Sequence, residues 1–212
     1  MSTSETTQIA LFLVASIALI ITPGPDMIFV TTRGIALGRI AGIFSALGVC
    51  AGLIIHTSAV ALGLAILLKT SSVFYYTIKF LGVFYLIYLG IKTLLNGDVT
   101  GGFTSEIDKK PNGQIFLQGF ITNLVNPKIA LFFMSFLPQF VIFENYVPTL
   151  QIFALGITYL LLSLIFLIII ALLSDRIGRV LKEKDYIGKK IRWLTSSVFI
   201  GLGLNLAFSN RE

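Results

Sequence analysis

Six stretches of this chain stay apolar long enough to cross a bilayer as helices: residues 8–31, 40–68, 73–95, 115–143, 148–173 and 193–208. A crossing helix needs about 20 largely apolar residues, because the hydrocarbon core is roughly 30 Å thick. The second stretch holds no formal charge between Arg39 and Lys69, and at about 1.5 Å per residue it is long enough to cross with tilt. Lys79 and Lys92 lie near the ends of the third, where flexible stems reach toward the headgroups. The longest polar links are 96–114 and 174–192; Gly97, Gly101, Gly102, Pro111 and Gly113 give the first the composition of a flexible connector. The pattern predicts an all-α integral membrane protein, one domain over 1–212, with three-helix halves at 8–95 and 115–208. An odd number of spans per half inserts the two in opposite orientations.

Composition sharpens this expectation. Hydrophobic residues make up 56% of the chain and charged ones 12%, with a mean hydropathy of +0.92, whereas soluble domains carry roughly 25% charged residues. No length remains for a second, soluble domain. The net charge of +6 fits the excess of Lys and Arg on cytoplasmic loops better than a nucleic-acid surface, because these charges flank apolar spans. With the N-terminus outside, Arg33, Arg39, Lys92, Lys109 and Lys110 face the cytoplasm, as do seven residues between Arg176 and Arg192. Lys69, Lys79 and Arg211 remain outside; twelve against three predicts that both termini lie on the outer side of the cell (inner) membrane. The basic link before the last span is then a topology anchor that anionic headgroups favour, with Tyr186 and Trp193 beside it at the interface. The first apolar run follows MSTSETTQ, which has no Lys or Arg, and leads into Thr-Pro-Gly-Pro rather than a small-x-small cleavage site. It is therefore expected to remain a mature helix. The single cysteine, Cys50, excludes an intrachain disulfide and a multi-cysteine metal site.

Two of the six stretches are interrupted at comparable places in the two halves, the first by Thr22-Pro23-Gly24-Pro25 and the fourth by Asn126-Pro127-Lys128. Proline removes a backbone donor and clashes with the preceding turn, so carbonyls are freed; in lipid this is tolerated only where protein or water meets them. Paired breaks of this kind form midplane sites in transporters built from inverted repeats. Asp26 directly follows Pro25 and Lys128 directly follows Pro127, so superposing the breaks puts opposite charges at equivalent positions. Each charge costs about 2.5–3.5 kcal/mol at a helix centre and should face inward. The two either pair across the pseudo-twofold axis or hold the ammonium and carboxylate of an amino acid; a fixed structural ion pair and a snorkelling Lys128 are the simpler alternatives. Asn123 and Asn126 flank the second break and can both donate and accept, which suits either a zwitterion or the capping of broken backbone. His56, in the second stretch beside Thr57 and Ser58, is either a proton relay or an interhelical hydrogen bonder. The glycines at 34, 38, 42, 48 and 52 give small-xxx-small spacing, which close helix packing accounts for. Phe74, Tyr75, Tyr76, Phe84, Tyr85 and Tyr88 read as packing and interface anchors.

The run TPGPDMIFVTTRGIALGRIAGIFSALGVCAGLIIHTSAVALGL resembles the opening of the LysE/RhtB family of amino-acid exporters, and NLVNPKIALFFMSFLPQF is similar to that family's second signature. The resemblance covers nearly the whole chain. It implies a polytopic inner-membrane exporter of amino acids or close derivatives, of the lysine, homoserine, threonine or homoserine-lactone kind, driven by the proton motive force. The family's elements fall on Pro23, Gly24, Pro25, Asp26, Asn126, Pro127 and Lys128. The expected partners are an amino-acid substrate, protons as coupling ion and the bilayer, with a homodimer compatible; no cofactor and no nucleic acid are expected. A metal or inorganic cation exporter is the alternative, and it lacks an intramembrane His, Cys, Asp and Glu cluster to replace a hydration shell. Enzymatic readings lack HExxH, GxSxG or a Ser/His pairing, with one histidine in the chain.

Overall fold

A computed structural model describes residues 3–70, 110–141 and 147–183 continuously, together with isolated helical positions within 77–95 and 193–208. Expectations for most of the third and sixth spans, for the connector up to residue 109 and for the basic link beyond residue 183 lie outside the described residues. Everything regular among the described residues is helical. The helices are α1 (Thr3–Ile21), α2 (Pro25–Leu37), α3 (Arg39–Thr70), α4 (Asn112–Leu124), α5 (Pro127–Ser135), a 3-10 turn at Leu137–Phe140, and α6 (Pro148–Glu183). The chain therefore breaks at both proline positions that the sequence marks, with bends of 47° between α1 and α2 and 50° between α4 and the segment that begins at Pro127. Each bent pair together is long and apolar enough for one broken span or a re-entrant loop, while α3 over Arg39–Gly63 and α6 over Pro148–Ser174 are each long and apolar enough to cross a membrane alone.

α3 is the central post, packing most extensively against α4 and α6. Its glycines set those distances. A Cβ on Gly48 would stand 2.0 Å from the Phe116 carbonyl oxygen of α4, one on Gly52 2.5 Å from Asn123 Oδ1, and one on Gly42 2.9 Å from the Ala171 Cβ of α6. The neighbours reciprocate: Gly119 of α4 meets the Ser45 carbonyl, and Gly156 of α6 meets Thr57. Lipid tails are as apolar as leucine, so helices associate through such close packing rather than through water exclusion. Gly38 departs from the packing expected of it. It has open space around its Cβ position and a φ of +90°, and it ends α2 by donating its N–H to the Gly34 carbonyl at 3.1 Å. One residue thereby joins α2 to α3, a backbone setting that favours glycine.

α6 differs from its expected extent, for it runs on to Glu183 where a polar link from 174 was expected. Polarity alone does not stop a helix; the continuation has no proline, and its Gly178 costs only about 1 kcal/mol. Within the membrane, Ile157, Leu161, Ile165 and Ile169 of α6 are exposed, while Tyr159, Leu167 and Ala171 are buried. The four-residue spacing of the exposed set draws a lipid-facing stripe. α3 is more enclosed, with 61% of its most apolar window buried against 33% for α6. Inside, rings of α5 and of the residue that follows it key the short helix in place: Phe132 and Phe133 lie 5.5 and 5.2 Å from Tyr159 of α6, and Phe136, 5.0 Å from Phe132, lies 4.9 Å from Phe140, itself 5.4 Å from Phe12 of α1. The described positions within 77–95 and 193–208 meet where Gly90 approaches Ile200 and the Ser196 carbonyl.

This packing predicts that Gly48→Ala abolishes the monodisperse peak in size-exclusion chromatography of detergent extracts, because the methyl collides with backbone that cannot rotate away. Gly63→Ala, with nothing within 4 Å of its Cβ position, should extract at wild-type yield. Equal yields for both would show that α3 and α4 are not in backbone contact.

Candidate functional site between the two helix breaks

The first break follows from what its prolines lack. Thr22 closes α1, its N–H and its hydroxyl both donating to the Ala18 carbonyl at 3.1 and 2.7 Å. Pro23 and Pro25 bring no N–H, so the ladder ends there. Pro25 opens α2 at a position where a missing donor costs nothing. The residue before it, Gly24, is extended and offers no side-chain cap. The α2 N-terminus thus keeps backbone donors and the positive end of its dipole turned to the break, with Asp26 in the first turn.

The second break is capped differently. Asn126 takes the N-cap of α5, its Oδ1 accepting from the Lys128 N–H at 3.1 Å. In an unbroken helix the N–H of residue 127 would bond the Asn123 carbonyl, and Pro127 has none. The carbonyl is met instead by the Asn126 N–H at 2.9 Å and by His56 Nε2 at 3.2 Å.

Side chains from the second break complete the first. Lys128, only 8% exposed, donates from Nζ to the Thr22 carbonyl at 2.8 Å, the acceptor that an unbroken helix would have paired with residue 26. Asn123, fully buried, donates from Nδ2 to Asp26 Oδ2 at 2.8 Å. The other oxygens of that pair, Asp26 Oδ1 and Asn123 Oδ1, are buried without a hydrogen-bond partner. Glycines make room for both reaching side chains: a Cβ on Gly24 would lie 3.1 Å from Lys128 Nζ, and one on Gly52 would strike Asn123.

A cavity of about 30 Å3 lies at this junction, lined by Thr22, Gly24, Asp26, Asn126 and Lys128 from the breaks and by Tyr159, Ser163 and Leu167 from α6. Leu19, Ile20, Met27, Val49, Leu53 and Ile129 make the rest of its wall. It has room for about two water molecules. The structure therefore brings Asp26, Lys128, Asn126 and Gly24 to one cavity, with Pro23, Pro25 and Pro127 producing the breaks around it. Asn123 and His56 stand behind its wall rather than in it. Tyr159, Ser163 and Leu167 carry no sequence signal apart from their four-residue spacing on one face of α6, which also fits plain core packing. Among the described residues, no three His, Cys, Asp or Glu side chains gather as metal ligands.

Over residues 17–210 the chain matches the family described as LysE type translocator. It is 30% identical over 196 residues to the leucine efflux protein of Klebsiella pneumoniae and 31% identical over 196 residues to that of Salmonella typhimurium, covering 92% of each chain in both comparisons. An uncharacterized membrane protein of Bacillus subtilis is 27% identical over 199 residues, which are 90% of this chain and 94% of that one. No solved structure matches.

The site geometry predicts an order of stabilities. Gly24→Ala meets the flexible end of Lys128 and should melt in mild detergent within about 3 °C of wild type, whereas Gly52→Ala pushes the Asn123 amide off Asp26. Overpacking of that kind costs roughly 1–3 kcal/mol, or a midpoint lowered by about 3–10 °C. Equal midpoints would show that Asn123 is not pinned between Gly52 and Asp26.

Proposed function

The chain belongs to the LysE type translocator family, and from that premise we propose that it exports a neutral amino acid with an apolar side chain, leucine or a close analogue, binding it between the two helix breaks. One observation carries the reading: a single carboxylate and a single ammonium, Asp26 and Lys128, line the same small cavity, whose remaining wall is mostly apolar. A zwitterion has the complementary pair of charges. Its carboxylate fits Lys128 and the donor-rich N-terminus of α2, and its ammonium fits the unpartnered Oδ1 of Asp26. The aliphatic wall then takes the side chain. A lysine-like substrate is less well served, since no lining carboxylate remains for a second ammonium. Threonine and homoserine are the closer competitors, because Ser163 and Tyr159 offer hydroxyls. The efflux proteins similar over nearly the full length favour the apolar substrate by name.

Export needs the cavity to grow. Two water volumes are far below the ~300–1,000 Å3 of ordinary small-molecule sites, so binding has to part the breaks, and the bends of 47° and 50° are the natural hinges. In this reading six spans form inverted repeats over 8–95 and 115–208, both termini lie outside the inner membrane, and the repeats rock about the site. Asp26 exchanges a proton for substrate on opposite faces. One proton crossing 100 mV supplies about 2.3 kcal/mol, enough for a roughly fiftyfold gradient.

The test is efflux of radiolabelled amino acids from preloaded cells, with and without a protonophore. Leucine export that collapses with the protonophore is expected, with threonine slower and lysine absent; no export across the panel contradicts the reading. Asp26→Asn should lower uphill leucine efflux by ~30-fold or more, the scale of about 2 kcal/mol for a truncated buried charge partner. Full proton-dependent transport by that variant would remove Asp26 from the coupling role.

A further inference from the structure

His56 is buried on α3, 8% exposed, and its ring lies 6.0 Å from that of Phe133. It is a titratable group beside the site and absent from the cavity wall. Its Nε2 stands 3.2 Å from the Asn123 carbonyl, an acceptor that can only receive a hydrogen, so the nitrogen facing it must carry one. That carbonyl is the one Pro127 deprives of its helical donor. The same residue, Asn123, sends its amide to Asp26. A continuous chain of contacts thus runs from α3 through His56, the Asn123 backbone and the Asn123 side chain to the carboxylate of the first break.

We propose that His56 is a positioning residue: it holds the end of α4 against α3 with an Nε2–H donor, and so fixes the angle at which Asn123 presents its amide to Asp26. No proton passes through it during transport. The positioning role rests on Nε2 facing a carbonyl that can only accept, and the exclusion from proton transfer on the ring lying behind the cavity wall rather than on it. Asp26, Lys128 and Tyr159 are the titratable groups that line the cavity beside it. They keep whatever pH dependence transport has. The functional part of this inference rests on the export reading above, whereas the hydrogen bond itself does not.

Glutamine carries an N–H at nearly the reach of histidine Nε2, while asparagine falls short of it. The experiment compares His56→Gln, His56→Asn and His56→Leu in the full chain, by melting midpoint in detergent and by leucine efflux across pH 5.5–8. His56→Gln should melt within about 1 °C of wild type and transport at half its rate or better with an unchanged pH profile. His56→Asn and His56→Leu should each melt about 2–4 °C lower, the scale of one lost hydrogen bond, and transport ~10-fold more slowly or fail to fold. A His56→Gln protein that is unfolded, inactive or altered in pH profile overturns the proposal, as does a His56→Asn or His56→Leu protein equal to wild type. If the wild type moves no leucine, the export reading falls, and the melting order still decides whether His56 is the donor that secures Asn123.

Discussion

The structure turns on carbonyls that proline leaves without donors inside a medium that supplies none. A helix crossing lipid satisfies its backbone internally, and every break must be repaid from nearby protein. Here the repair crosses from one half of the chain to the other. Lys128, one residue after the second break, caps Thr22 at the first, and Asn123, three residues before Asn126, reaches Asp26. The first break is completed by side chains of the second, and the second by its own Asn126 and by His56 of α3, so the polar groups of both breaks are gathered at one place.

That constraint explains the glycines and the rings around it. Long side chains from α4 and α5 reach the first break only if α3 and α4 lie in backbone contact, which Gly48, Gly52 and Gly119 allow. α5 is a helix of nine residues, too short to hold its own orientation by ladder bonds. Its phenylalanines, seated on Tyr159 and reaching Phe12 through Phe140, fix it instead. A substrate that entered between Asp26 and Lys128 would compete with these internal partners. Binding and the loosening of the two halves would then be one event, which is what alternating access asks of a site.

Much of this was legible in the sequence, for identifiable reasons. Proline in an apolar run has few physical meanings, so both breaks, and Asp26 and Lys128 beside them, were visible from residue order alone. Asn126 was visible as a cap, and Gly34, Gly42, Gly48 and Gly52 as packing positions. What residue order conceals is which partner each polar group finds. Thr22 and Gly24 read only as parts of the first break, yet the Thr22 carbonyl receives the buried ammonium and the missing Cβ of Gly24 makes space for that side chain. The α6 residues Tyr159, Ser163 and Leu167 stayed hidden because a face buried against protein and a face lining a site have the same four-residue spacing. Spacing marks Gly38 as a packing position because it does not report φ, and polarity puts the end of α6 too early because it marks the membrane boundary rather than the helix end.

The central claim is that solute binds where the two breaks meet, and thiol protection tests it most directly. With Cys50, the only native cysteine, replaced by serine, a cysteine is placed at Ser163 on the cavity wall and, separately, at Gln114 on the exposed, polar start of α4. Each is labelled with a small membrane-permeant maleimide in the presence and absence of leucine. Leucine is expected to slow labelling at 163 and to leave 114 unchanged, and leucine amide, which lacks the carboxylate, to protect neither. Labelling at 163 that leucine does not alter, in a chain that still exports it, would place the binding site elsewhere.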